Sequence, residues 1–245
     1  MNLHFNEINN MPLPKEKTKP KEDIGSYSML IYGTSKFGKT TFASKFPDAV
    51  FFATEPGTHA LEVYVDQVTS WEQFQADCKE IAAGKHKFKT IVIDTVELLY
   101  KYCQDCICTK LGIKHESELG FGKGFQLVNN EFQRALTRLA SLDYGLILIG
   151  HSQEKEIETR TGKYKKNIPS LSDAPRKIVT SLVDIILYGE TEAVKDEATG
   201  KVIGQRRVWR TKPHTYYDAG DRTGRLPDTI PVDYDAFVKA FTSKL

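Results

Sequence analysis

The segment Gly33-Thr34-Ser35-Lys36-Phe37-Gly38-Lys39-Thr40 constrains this chain more than any other. It follows the apolar run Met29-Leu30-Ile31-Tyr32 and leads into Thr41-Phe42-Ala43-Ser44-Lys45-Phe46. A buried strand, a glycine-bounded turn and a helix start in succession match the phosphate-binding loop pattern G-x-x-x-x-G-K-[ST]. Gly33 and Gly38 are expected at φ > 0, so that successive backbone N–H groups turn inward onto phosphate oxygens. A helix beginning near Lys39 adds the positive end of its dipole. Residues Gly33 to Thr41 would then hold a nucleoside triphosphate. Lys39 would reach its β- and γ-phosphates, and the Thr40 hydroxyl would ligate Mg²⁺.

At 245 residues the chain has room for one α/β domain with a full core. A formal charge of +2 means that any nucleic-acid partner must meet a local basic patch. The cysteines Cys78, Cys103, Cys106 and Cys108 show no disulfide-framework spacing. Cys103 and Cys106 fall one helical turn apart with no second cluster to complete a metal site, so they read as reduced helix cysteines. No apolar run approaches the roughly 20 residues of a membrane span. The first residues also lack the apolar core of a signal peptide, so a soluble, cytoplasmic protein is expected.

Residues 1–24 read as an extension that is mobile, packed along the surface or oligomer-linking. Pro12, Pro14 and Pro20 flank a charged cluster, and Leu3, Phe5 and Ile8 are possible anchors. Residues 25–245 form the domain proper. Ala49-Val50-Phe51-Phe52-Ala53 is a second strand, ending at Thr54-Glu55-Pro56-Gly57. Ligands of open parallel sheets sit outside the carboxyl ends of the strands, which places Glu55 where it can polarise an attacking water. A helix over Ser70–Ala83 opens on a Ser N-cap with Gln73 three residues on. Thr90-Ile91-Val92-Ile93-Asp94 is a β-branched strand closed by an acid, the Walker B pattern, and Asp94 would hold Mg²⁺ opposite Thr40.

Residues 112–124 are glycine-dense and read as a flexible loop, followed by a helix over 125–140. Gly145-Leu146-Ile147-Leu148-Ile149-Gly150 is a further buried strand. Its polar end carries His151 and Ser152, which are candidate sensors of the γ-phosphate unless His151 is an ordinary turn histidine. Beyond it, Lys155, Arg160, Lys163, Tyr164, Lys165 and Lys166 surround a hairpin turn at Thr161-Gly162. Cations interleaved with an aromatic suit single-stranded DNA, whereas the interspersed Glu154, Glu156 and Glu158 suit a solvated hairpin. A helix over 175–182, a strand from Val183, a second hairpin turning at Glu197–Gly200 and a helix from Asp233 complete the chain.

The order of phosphate loop, Glu55, Asp94 and a polar-ended strand resembles the phage-encoded RecA-like ATP-binding proteins, a group associated with single-strand annealing and recombination. The resemblance spans most of residues 28–227. It rests on Gly33–Thr41, Thr54–Gly57, Ile91–Thr95, Gly150–Ser152, Arg210-Thr211-Lys212 and Asp221-Arg222-Thr223-Gly224. It implies an α/β, RecA-like P-loop fold: a mostly parallel central sheet flanked by helices, with a C-terminal β-hairpin. It also implies an ATPase using ATP and Mg²⁺, with Lys39 and Glu55 catalytic.

Arg222 would act as a finger reaching the ATP site of a neighbouring subunit, or else pair with Asp221 or Asp218. Gly220 stands where relatives often carry lysine, so Arg210 or Lys212 would supply the second cation. A ring or filament binding single-stranded DNA is the implied assembly. The alternatives are a helicase or helicase-loading motor, a small-molecule kinase, and a non-catalytic NTP-dependent DNA-binding module.

Overall fold

The computed structural model describes residues 15–160 and 162–243. The proposed anchors Leu3, Phe5 and Ile8 and the turn residue Thr161 lie outside the described residues. The described part of the extension is exposed from residue 15 to residue 22, and Lys21 ties it down by donating to Ser26 O and reaching Asp143.

Six strands run parallel: β1 (Ser28–Gly33), β2 (Ala49–Ala53), β3 (Tyr64–Gln67), β4 (Thr90–Asp94), β5 (Gly145–Thr159) and β7 (Ile185–Lys195). β8 (Val202–Arg210) adds antiparallel to β7, and β10 (Thr229–Pro231) antiparallel to β8. The resulting order is β10-β8-β7-β1-β5-β4-β2-β3. β6 (Gly162–Pro169) pairs with the far half of β5 to form a projecting arm, and the short β9 (Gly220–Asp221) pairs with the start of β7.

Alternation along the strands sorts the core onto two faces. Leu30, Ile91, Ile93, Leu146 and Leu148 face one layer, packing with α2 (Trp71–Ala83), α3 (Val96–Leu111), α4 (Lys123–Ala140) and α5 (Asp173–Leu182). Met29, Ile31, Val92, Ile147 and Ile149 face the other, against α1 (Lys39–Ala43) and α6 (Tyr234–Thr242). Trp71, Phe74 and Phe132 fill the first layer; Trp209, Phe237 and Phe241 fill the second. Each such side chain stabilises by roughly 1.5–3 kcal/mol on burial.

The expected Ser70 cap is present with one change of partner. Ser70 accepts from the Gln73 N–H, whereas the Gln73 carboxamide reaches back to the Thr69 N–H. Residues 112–124 differ from the flexible loop expected of so many glycines. A 3-10 turn over Glu116–Leu119 is closed by a reciprocal cap between His115 and Glu118, and buried Glu116 bonds Gln104 at 2.5 Å. Cys103, Cys106 and Cys108 are free and buried on α3, as expected of structural cysteines. No helix among the described residues is long and apolar enough to cross a membrane.

Candidate active site

The strand register lines up the site. Gly33 stands opposite His151 on one side and Gly189 on the other, and Asp94 stands opposite Ala53, with Thr54-Glu55 next in the chain. Motifs scattered along the sequence therefore end in one row at the carboxyl edge of the sheet.

Gly38 takes φ 108, as its place in the loop demands. The second residue at positive φ is Lys36, at 60, rather than Gly33 as the pattern suggested. Gly33 is needed for a different reason: a Cβ there would lie 3.1 Å from the Gly189 carbonyl oxygen, across the pairing of β1 with β7. Thr34, Ser35, Lys36 and Thr41 are exposed, and Gly38 and Thr40 are partly so. Phe37 points away, buried against Trp209 with ring centroids 5.1 Å apart, so its contribution to a ligand is confined to the backbone.

Lys39 is 6% exposed, and its ammonium donates to Gly33 O at 3.1 Å and Thr34 O at 2.9 Å. Burial lowers its pKa, against the opposing pull of Asp94, Glu97 and Glu55. The Thr40 hydroxyl donates to Asp94 Oδ2 at 2.8 Å. Burial raises the Asp94 pKa; the Thr40 bond and Lys39 lower it, and Glu55 and Glu97 push it further up. A cation at this corner and three acids thus act on one another, with desolvation the dominant effect on both Lys39 and Asp94.

Thr54 holds the acidic side of the site together. Its N–H donates to Asp94 O at 2.7 Å, its hydroxyl accepts from the Thr95 N–H at 2.8 Å, and Tyr102 donates to its carbonyl. This stitching fixes Glu55, which is half-buried and close enough to act on the charges of Lys39, Asp94 and His151.

Glu97 was not foreseen as a site residue. Its Oε1 accepts the His151 N–H at 2.9 Å and lies 2.6 Å from the His151 ring Nδ1, while its buried Oε2 has no hydrogen-bond partner among the described residues. The Glu97 bond raises the His151 pKa despite an opposing burial penalty. The available signal was an acid in the first turn of the helix that follows the acid-ended strand. Ser152, beside His151, starts the pairing of β5 with β6.

Thr40 and Asp94 offer the hard oxygen donors that Mg²⁺ takes, one hydroxyl and one carboxylate. No group of three or more His, Cys, Asp or Glu side chains among the described residues is arranged to hold a metal. An Mg²⁺ here would therefore draw its remaining ligands from phosphate oxygens and water, as this ion commonly does.

The arm cations are balanced by acids. Lys155 pairs with Asp173 at 2.7 Å, Lys163 with Glu156 at 3.0 Å, Lys165 with Glu154 at 2.7 Å and Lys166 with Asp218 at 2.6 Å. Arg160 is exposed near the tip, and Tyr164 is half-buried edge-on to Tyr216. Arg210 is engaged by Glu190 at 2.8 Å and Glu192 at 2.7 Å, and Lys212 by Asp221 at 3.3 Å. The structure thus gives both candidate second cations to acids of their own chain. Arg222 donates to Ser181 O at 2.6 Å, lies 3.7 Å from Asp184 rather than pairing with Asp221 or Asp218, and keeps its side chain 57% exposed. It stands beside the start of β7, about four strand residues, or roughly 13 Å, from the level of the phosphate loop.

The description "AAA domain" matches residues 26–223. The chain belongs to this P-loop ATPase family. It is also similar to the "SPbeta prophage-derived uncharacterized protein YorG" of Bacillus subtilis (strain 168), with 24% identity over 174 residues, covering 68% of this chain and 51% of that protein. The chain therefore spans about half the length of the curated relative it matches. Membership of the family fits the α/β fold with its mostly parallel sheet and implies nucleotide binding.

Proposed function

We propose that the protein is a phage-associated, RecA-like ATPase that hydrolyses ATP with Mg²⁺ and couples hydrolysis to single-stranded DNA in recombination, annealing or replication. The observation that carries the hydrolytic part is the row of Lys39, Thr40–Asp94, Glu55 and Glu97–His151 along one sheet edge. Backbone N–H groups of residues 33–41 and the Lys39 ammonium bind the β- and γ-phosphates. Thr40 and Asp94 would hold Mg²⁺, which would supply positive charge to stabilise the phosphate oxygens. Glu55 orients the attacking water. Glu97 raises the His151 pKa and positions its ring beside the terminal phosphate, at the root of the β5–β6 arm.

The DNA part rests on that arm. Its exposed ion pairs are each worth about 0–1 kcal/mol, so strand phosphates can displace the acids from Lys155, Lys163 and Lys165 at little cost. Arg222 fits a role in trans, because its guanidinium is exposed and its end of β7 lies away from its own loop. The similarity to a prophage-derived protein supports the phage setting and, with it, a host-cytoplasmic location.

The test is ATP hydrolysis at fixed salt, with and without single-stranded DNA, across protein concentrations. Stimulation by DNA, with a rate per subunit that rises with concentration, is expected of composite sites. A rate indifferent to both would leave a self-contained nucleotide hydrolase and end the DNA-linked reading.

A further inference from the structure

Two larger clefts, of about 550 and 360 Å³, lie along α2 and share no residue with the phosphate loop. A smaller one, of about 240 Å³, opens directly beside the loop, between Gly38, Thr41 and Lys45 on one wall and Arg207, Asp233 and Tyr234 on the other. We propose that this cleft receives the base and ribose of the bound nucleotide, with Arg207, Asp233 and Tyr234 as its recognition residues. The inference rests on the reading of residues 33–41 as a triphosphate site.

The direction of the ligand follows from sheet order. β1, which carries the loop, has β5, β4 and β2 on one side and β7, β8 and β10 on the other. Asp94, Glu55 and Glu97 all come from the first side, so the reacting terminal phosphate lies there. The opposite end of the ligand must leave over the second side, where β8 supplies Arg207 and the β10–α6 junction supplies Asp233 and Tyr234. A cleft of this size falls short of the roughly 300–1,000 Å³ that houses a whole small molecule, but it suits one end of a ligand anchored elsewhere.

The walls are built rather than loose. Arg207 Nη1 donates to Phe37 O at 2.7 Å, which brings its guanidinium over Gly38. The Arg207 carbonyl accepts the Val232 N–H at 3.3 Å, tying the strand to the junction. Asp233 Oδ1 accepts the Ala236 N–H at 2.8 Å, capping α6. Tyr234 is held edge-on by Phe46 at 4.9 Å and Phe42 at 6.4 Å. A planar guanidinium stacks on an aromatic base, and a carboxylate has lone pairs beyond the one used in the cap, free to accept a ribose hydroxyl.

The experiment is calorimetric titration of the full chain, with Mg²⁺, by three probes: inorganic tripolyphosphate, the β,γ-imido analogue of ATP, and the 2′,3′-dideoxy form of that same imido analogue (dideoxy-ATP). The wild type should bind the ATP analogue at least about tenfold more tightly than tripolyphosphate, the worth of one charge-assisted contact. Arg207→Gln should shrink that ratio toward one with tripolyphosphate affinity retained. Asp233→Ser, which preserves the cap, should lose the preference for the ATP analogue over dideoxy-ATP.

Equal wild-type affinity for tripolyphosphate and the ATP analogue overturns the inference while leaving the loop intact. Parallel loss of both ligands in Arg207→Gln also overturns it, since Arg207 then serves only loop folding. An unchanged dideoxy preference in Asp233→Ser removes the ribose assignment. Binding of neither probe by the wild type defeats the triphosphate reading itself, and is recognised by the silence of tripolyphosphate.

Discussion

Gly189 joins the packing of the fold to the shape of the phosphate loop. It stands opposite Gly33, and a Cβ on it would lie 2.5 and 2.7 Å from two atoms of the Phe37 ring and 2.9 Å from Trp209. Carbon atoms pack best at about 3.5–4.0 Å, so Gly189→Ala requires the Phe37 ring to retreat by about 1 Å. Overpacking of this kind costs roughly 1–3 kcal/mol, of which roughly 0.5–1 is returned by the reduced freedom of the unfolded chain. The expected net loss of about 1–2 kcal/mol is within the roughly 5–15 kcal/mol of an ordinary domain, so the variant folds.

Because Phe37 lies inside the loop, the same shift displaces the backbone that faces the phosphates and weakens nucleotide binding. Urea denaturation with and without nucleotide reads both effects. Gly204→Ala is the control, since its added Cβ meets nothing within 4 Å. A Gly189→Ala protein with the urea midpoint and nucleotide affinity of the Gly204→Ala control would refute the coupling.

Two further predictions come from titratable groups. His151 has a raised pKa because Glu97 bonds its ring, so Glu97→Gln should bring the His151 titration, followed by NMR, down toward the ordinary value near 6.5. The stabilisation from this pair is complete below the unfolded value and lost as pH rises through the higher folded value; a stability gap between wild type and Glu97→Gln that widens at alkaline pH would contradict it. The second concerns Asp221, whose side chain is fully buried. Burial raises its pKa, but bonds from Thr223, Leu226 and Lys212 outweigh this and leave it depressed. Asp221→Ala strands those donors and should cost about 3 kcal/mol in denaturant unfolding at neutral pH. The difference should fade as pH falls through the depressed folded value, and a gap that persists in acid would count against it.

Lys39, Thr40 and Asp94 were legible because each belongs to a contiguous motif whose flanks announce strand or helix. Glu55 was legible from strand order alone, since an acid just past β2 must sit at the carboxyl edge. Glu97 and Arg207 were not, because their local marks are too common to single them out. Glu97 reads as one acid on a helix, and Arg207 as one of several cations on a hairpin strand. Only the placement of β5 beside β1, and of β8 two strands from β1, brings them to the loop. The loop at 112–124 misled because its glycines outweighed the His115–Glu118 cap, which is a histidine variant of a motif usually begun by serine or threonine. β3, β9 and β10 are too short to carry a periodicity, and neighbours in the sheet define them.

The most direct test of the account is release of phosphate from ATP in the presence of Mg²⁺, comparing the wild type with Lys39→Ala at matched folding by circular dichroism. Hydrolysis by the wild type and a loss of at least about a hundredfold in the variant are predicted, in keeping with the weight of charge stabilisation at transferring phosphoryl groups. An equal rate in the two proteins would contradict the assignment of Gly33–Thr41 as the nucleotide site.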